Sequence, residues 1–212
     1  MELLIRDELL SHELIEKRKA LGGDRYDEVW EGIYVINPSA DNEHQDLVRA
    51  FTTAIATVWD RKNFGRTQAG TNVSDHETDW QFNYRVPDVL CFANDSKAVD
   101  RGSHWLGGPE FAVEITSPGD CTIEKLDFYA RVGTKELLII DRSPWKMTLY
   151  KADAHGRLMS AAQVCDLNHA DPIESEIVPT CFHLDFQTNM LRISLKQGEL
   201  IRELPFGVKA DA

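Results

Sequence analysis

The sequence predicts an α/β (α+β) fold in which helices flank a central mixed β-sheet, and three observations predict it. From Asn42 to Trp59 the apolar positions Leu47, Val48, Phe51, Ile55 and Val58 keep a helical period. Leu137-Leu-Ile-Ile-Asp141 is a continuous apolar run, as a strand buried on both faces carries. Between them Phe111, Val113 and Ile115 alternate with Ala112, Glu114 and Thr116, which makes a strand whose acid faces away from the bulky residues. At 212 residues with 42% hydrophobic content the chain can bury one sizeable core.

Taken in order, the elements begin with an N-terminal helix from Leu3 to Ala20, ended by Leu21-Gly-Gly23. Glu28 to Ile36 reads as a strand or a tight hairpin about Glu31-Gly32. The amphipathic helix from Asn42 to Trp59 then covers the sheet. A strand runs from Gly65 towards Val73, and a polar loop from Ser74 to Asn83 leads into a strand from Arg85 to Ala93. That loop carries Asp75, His76, Glu77 and Asp79 and is expected at the rim of a site. Ser117-Pro118-Gly119 ends the 111–116 strand. Asp120 then serves as N-cap, Arg131 lies in the last turn and Gly133 is the stop, so Asp120 to Val132 reads as one helix. Within it Ile123, Leu126 and Ala130 form the more apolar stripe. Lys146 to Ala152 and a partner near Gly156 to Val164 read as a hairpin, Ile177 to Phe186 forms a last alternating segment with a break at Pro179, and the fold is expected to carry a C-terminal β-hairpin extension. The division expected is a helical extension over 1–24, a domain over 25–190 and a C-terminal tail over 191–212, disordered beyond about Pro205.

Composition narrows the function. No apolar run approaches the roughly 20 residues of a membrane span, and Met1 to Asp7 lacks the basic-then-apolar order of a signal peptide, which predicts a cytoplasmic protein with no membrane partner. Cys91, Cys121, Cys165 and Cys181 are widely separated and read as reduced structural thiols. No two of the seven histidines have the spacing of a helical metal pair. With 23 basic and 35 acidic residues the formal charge is -12, which opposes easy capture of a polyanion, although a local patch rather than the total meets the phosphates. Lys17-Arg18-Lys19 and Arg61-Lys62 with Arg66 are the basic clusters, and each reads first as solvated surface charge.

The chemistry-bearing pattern is Arg85-Val-Pro-Asp88, then Glu114 on its strand, then Lys125 on the following helix. Hydrolysis of a phosphodiester calls for a hard cation with oxygen ligands, which two carboxylates supply, and a nearby amine to stabilise developing negative charge or hold the attacking water. Crowded carboxylates disfavour joint ionisation, so one of Asp88 and Glu114 is expected to have a raised pKa.

These residues resemble the PD-(D/E)XK nuclease superfamily and, within it, the Uma-two family of restriction-endonuclease-like proteins. The resemblance runs from about Arg25 to Phe186, through Asp27 to Val35, Glu43-His-Gln45, Val86-Pro-Asp88, Pro109 to Pro118, the 120–133 helix, Leu137 to Asp141 and Ile177-Val-Pro179. It implies a restriction-endonuclease-like sheet, with Asp88 and Glu114 as the two acids holding Mg2+ or Mn2+ and DNA as the substrate. The lysine usually found two residues after the second acid is absent, since Thr116 stands there, and in the family a helix lysine is thought to replace it, which fits Lys125. Auxiliary candidates are Glu43 and His44 at the start of the long helix, Glu28 and Glu31 in the first hairpin where family members also carry acids, and Tyr129 one turn after Lys125, placed to touch a phosphate or simply to pack. A helix-start acid also favours the macrodipole with no catalysis, and that reading is preferred for Glu43 and likewise for His44. Edge strands and the resemblance together predict a homodimer. The competing class is a non-catalytic interaction or regulatory protein that retains the fold, favoured by the acidic charge and disfavoured by the intact Asp, Glu and Lys set.

Overall fold

The computed structural model describes residues 8–37, 40–116, 122–166 and 171–207. The chain opens with α1 (Glu8–Ala20), a hairpin of β1 (Glu28–Trp30) and β2 (Ile33–Val35), and α2 (Asn42–Val58). Short strands follow: β3 (Gly65–Ala69), β4 (Val73–Ser74), β5 (Tyr84–Arg85), β6 (Val89–Ala93), β7 (Val99–Asp100), β8 (Trp105–Leu106) and β9 (Phe111–Ile115). A 3-10 turn over Thr122–Lys125 runs into α3 (Leu126–Val132), and then come β10 (Glu136–Arg142), β11 (Trp145–Ala152) and β12 (Leu158–Cys165). The chain closes with β13 (Ile173–Glu174), β14 (Thr180–Asp185), β15 (Met190–Leu195) and β16 (Leu200–Pro205).

Three sheets organise these strands. The central one has the order β12-β11-β10-β9-β6-β3 and is mixed, with β9 and β10 parallel and the other neighbours antiparallel. Its two faces carry different cores. On one face Val89, Val113, Ile115 and Leu138 meet Leu47, Phe51 and Ile55 of α2 together with Phe182, Leu191 and Ile193 of the four-stranded sheet β13-β14-β15-β16. On the other face Leu90, Ala112, Leu137 and Ile139 meet Phe128 and Tyr129 of α3. Leu137 to Ile140 are therefore buried on both sides, as their unbroken apolar run predicts.

Local chemistry explains the elements nearest the site. Glu31 and Gly32 both have positive φ, 49° and 83°, the turn that matches the twist of a two-residue hairpin. Asp41 caps α2 by accepting the His44 N–H at 2.8 Å, which fixes where His44 starts. Gly133, at φ 89°, stops α3.

Five readings of the sequence change. The expected strand from Gly65 towards Val73 ends at Ala69 as β3 of the central sheet, and β4 belongs to another sheet. The expected 85–93 strand is two strands: β5 pairs with β1 and β4 in a six-stranded sheet of short strands, whereas β6 joins the central sheet. Pro87 has no N–H to give a ladder, and the chain changes sheets there. The expected 120–132 helix is α-helical only from Leu126, and its proposed cap Asp120 lies outside the described residues, as do Leu3 to Asp7 of the N-terminal helix. Its apolar stripe is also displaced, because Ile123 is 57% exposed while Phe128 and Tyr129 are buried. Finally, residues 191–205 do not trail off: they form most of β15 and all of β16.

Candidate active site

β6 and β9 are antiparallel, with Val89 opposite Val113 and Leu90 opposite Ala112. Continued by one pair, that register sets Asp88 opposite Glu114 on the α3 side of the sheet, a placement that brings Cβ atoms to roughly 5 Å. Lys125, at the junction of the 3-10 turn with α3, reaches back to Glu114 with Nζ at 3.2 and 3.3 Å from its two oxygens. Asp88, Glu114 and Lys125 all line one cleft of about 200 Å³, which His44 and Arg25 also border.

Each group is held from behind. Asp88 accepts the Ile115 N–H at 2.8 Å through one oxygen and lies 2.8 Å from His44 Nε2 through the other. Glu114 accepts the Tyr129 hydroxyl. Lys125 donates to Glu28 Oε1 at 2.9 Å, and Glu28 in turn accepts the Val86 N–H and the Trp30 indole N–H. The amine is almost wholly buried, at 5% side-chain exposure, so its charge has to be met by these two carboxylates. Arg85, also buried, lies 4.5 Å from the Trp30 ring centroid and 4.4 Å from that of Phe128 and donates to main-chain carbonyls, so it supports the hairpin and does not enter the cleft.

The electrostatics follow from burial. Desolvation pushes the Glu114 carboxyl above its ordinary range, Lys125 pulls it back, and Asp88 and Glu28 push it up again. The raised pKa expected for one of the two motif acids thus falls on Glu114. Burial and then the neighbouring Glu114 push the Tyr129 hydroxyl up, so it stays a donor.

The auxiliary candidates divide. His44 meets Asp88 and lines the cleft, although as a helix-start residue it read more simply as structural. Tyr129 is fully buried against Glu114, so it packs and orients and is not placed to touch a phosphate. Glu43 lies away from the cleft, bonded to Arg142 at 3.3 Å and to the Gly207 N–H. Glu31 is half-exposed on Arg131 and Asn83. Asp75, from the loop expected at the rim, is tied to Asn83 and Arg131, and no residue of that loop borders the cleft. Of the two hairpin acids it is Glu28, with no exposure at all, that reaches the site through Lys125. Trp30 two residues on is the same-face partner that binds it.

The family model described as "Putative restriction endonuclease", that of the Uma-two family, matches residues 14–190. The chain belongs to the Uma-two family. No curated protein matches this Uma-two chain. A solved structure, titled a "putative nuclease belonging to DUF820" from Anabaena variabilis, is 16% identical with a TM-score of 0.52, over 63% of this chain and 75% of that one. At that identity the likeness speaks for the fold, and it agrees with a nuclease-like arrangement of mixed sheet and flanking helices.

Whether the donor set of this Uma-two chain suits a cation can be read from its lone pairs. Among the described residues no group of three or more His, Cys, Asp and Glu side chains is gathered as a metal cage. Mg2+, however, is commonly held by one or two carboxylates with water and substrate phosphate completing the shell. Each oxygen of Asp88 makes one hydrogen bond, and so does Glu114 Oε2, leaving further acceptor capacity on both acids. The residues fit a two-carboxylate site.

Proposed function

We propose that this protein is a Mg2+- or Mn2+-dependent endonuclease that hydrolyses DNA phosphodiester bonds, with Asp88 and Glu114 as the cation ligands and Lys125 as the catalytic amine. The observation that carries the reading is the convergence of these three side chains on one cleft, from separate segments of the chain, with a buried lysine amine against a buried glutamate. Membership of a family whose description reads "Putative restriction endonuclease" supports it.

When bound, the cation supplies Lewis acidity towards the phosphate and lowers the pKa of its water. The protein does the rest. Lys125 holds its proton between Glu28 and Glu114 and presents positive charge where phosphate charge grows during hydrolysis. Tyr129 fixes the rotamer of Glu114, His44 and the Ile115 N–H fix Asp88, and Glu28 anchors Lys125 so that the amine does not swing away.

The test incubates the full chain with supercoiled plasmid, single-stranded DNA and RNA, with Mg2+ or Mn2+ at low salt, because the charge of -12 weakens substrate capture as salt rises. The wild type is expected to cut DNA and Asp88→Asn to lose cutting with its thermal melt unchanged. A wild type that binds the metal yet cuts none of these substrates would transfer the assignment to an interaction protein that keeps the fold.

A further inference from the structure

The cleft has a second wall that the proposed chemistry does not use. Arg25, Tyr26, Asn37 and Gln45 border the same space as Asp88 and Glu114. Arg25 forms no ion pair among the described residues, and its guanidinium lies 5.3 Å from the centroid of the Tyr26 ring. Its place on the cleft sets it apart from the basic clusters the sequence offers for phosphate contact, none of whose residues borders that space. Arg18 is bound to Asp27 at 2.7 Å, Lys19 to Glu16 at 3.2 Å and Arg66 to Asp100 at 3.1 Å.

Tyr26 is 40% exposed and borders the cleft. It is nonetheless held in place. Its carbonyl accepts the Asn37 side-chain amide at 2.7 Å, and its ring sits so close to Gly70 that a Cβ there would come within 2.8 Å of it. Gln45, one residue beyond His44, is exposed and makes no side-chain hydrogen bond among the described residues.

On this wall we infer a seat for one unpaired nucleotide: Tyr26 stacks on the base, Arg25 meets a phosphate, and Gln45 offers its amide to the base edge or the sugar. Resting on the nuclease reading above, this narrows the substrate to single-stranded or frayed nucleic acid. Two arguments support it. The cleft, at about 200 Å³, has room for a base beside Asp88 and Glu114. Stacking on an aromatic ring is also indifferent to net charge, so it suits a chain whose -12 disfavours capture through phosphates alone.

The experiment measures binding of the full chain, with Ca2+ in place of Mg2+, to a labelled single-stranded DNA, the matching RNA and the matching DNA duplex, across a salt series. The single strand is expected to bind more tightly than the duplex, with the DNA and RNA arms identifying the polymer. Tyr26→Leu should weaken single-strand binding roughly tenfold and Tyr26→Phe should keep it, because the ring and not the hydroxyl stacks. Arg25→Gln should lower the salt slope by about one. Unchanged binding by Tyr26→Leu, an equal loss on the duplex, or a wild type that binds no nucleic acid would overturn the seat. The nuclease reading fails separately. If the wild type loses single strands through Tyr26→Leu yet cuts nothing with Mg2+ or Mn2+, the seat stands and the hydrolase does not. If Tyr26→Leu cuts single strands as the wild type does, the hydrolase stands and the seat does not.

Discussion

Lys125 keeps apart two carboxylates that burial has taken out of water, so removing it sets them against each other. Lys125→Met is expected to leave Glu114 with its pKa raised still further above that of the unfolded chain, because the amine that pulls it down is gone. The sign follows: below the ordinary carboxylate range the group is protonated in either state and little is lost, and the penalty grows as pH climbs towards the raised value. Urea melts should show the variant close to the wild type near pH 4 and roughly 3 to 5 kcal/mol less stable near pH 8. A deficit independent of pH would mean that the amine matters for packing alone. Metal affinity is linked to the same group, because Glu114 already has a raised pKa and a ligand must be ionised. Cation binding should therefore release a proton and tighten as pH rises from the carboxylate range. Calorimetry in two buffers of different ionisation enthalpy reads that proton directly. Glu28 shows what sequence reading could not decide at this scale. Two acids sit in one hairpin, and only the fold shows that Glu28 points inwards while Glu31 occupies the turn.

Among elements, those with a strong period were legible and those that depend on partners were not. α2 and β10 carry their burial in their own pattern. The β5–β6 break does not show, since a run of strand-forming residues looks the same whether it stays in one sheet or crosses to another. Thr122–Lys125 form a 3-10 turn for which no periodicity distinguishes it from an α-helix over four residues. The pairing of the motif acids was legible because Glu114 lies on β9 and Asp88 directly precedes β6, whereas Glu28 depends on a lysine 97 residues away. β3 offers a test of packing at this scale. A Cβ on Gly65 would lie 1.9 Å from the Phe92 carbonyl oxygen and 2.5 Å from the Trp59 indole nitrogen, and the first of these is backbone that cannot rotate aside. Gly65→Ala should lower stability by about 1 to 3 kcal/mol, visible as a fall in the urea midpoint at constant slope.

At the scale of the whole molecule, the segment read as a tail closes the larger core. Leu191, Ile193 and Phe206 are buried there with α2 and the central sheet. Burial of each is worth roughly 1.5 to 3 kcal/mol, and together they approach the whole stability of an ordinary domain. A chain ended after Asn189 is expected to lose its cooperative melt, as followed by near-ultraviolet circular dichroism. A full-strength transition would show the last strands to be an ornament.

The pairing of Lys125 with Glu28 has a consequence for the life of the chain in the cell. Its two partners are 97 residues apart, a loop that collapses only once much of the surrounding structure has formed to offset its entropy. A polypeptide leaving the ribosome has the glutamate exposed long before the lysine is made. The charged centre cannot form before Lys125 is made, so a half-made molecule lacks the amine that the proposed chemistry requires.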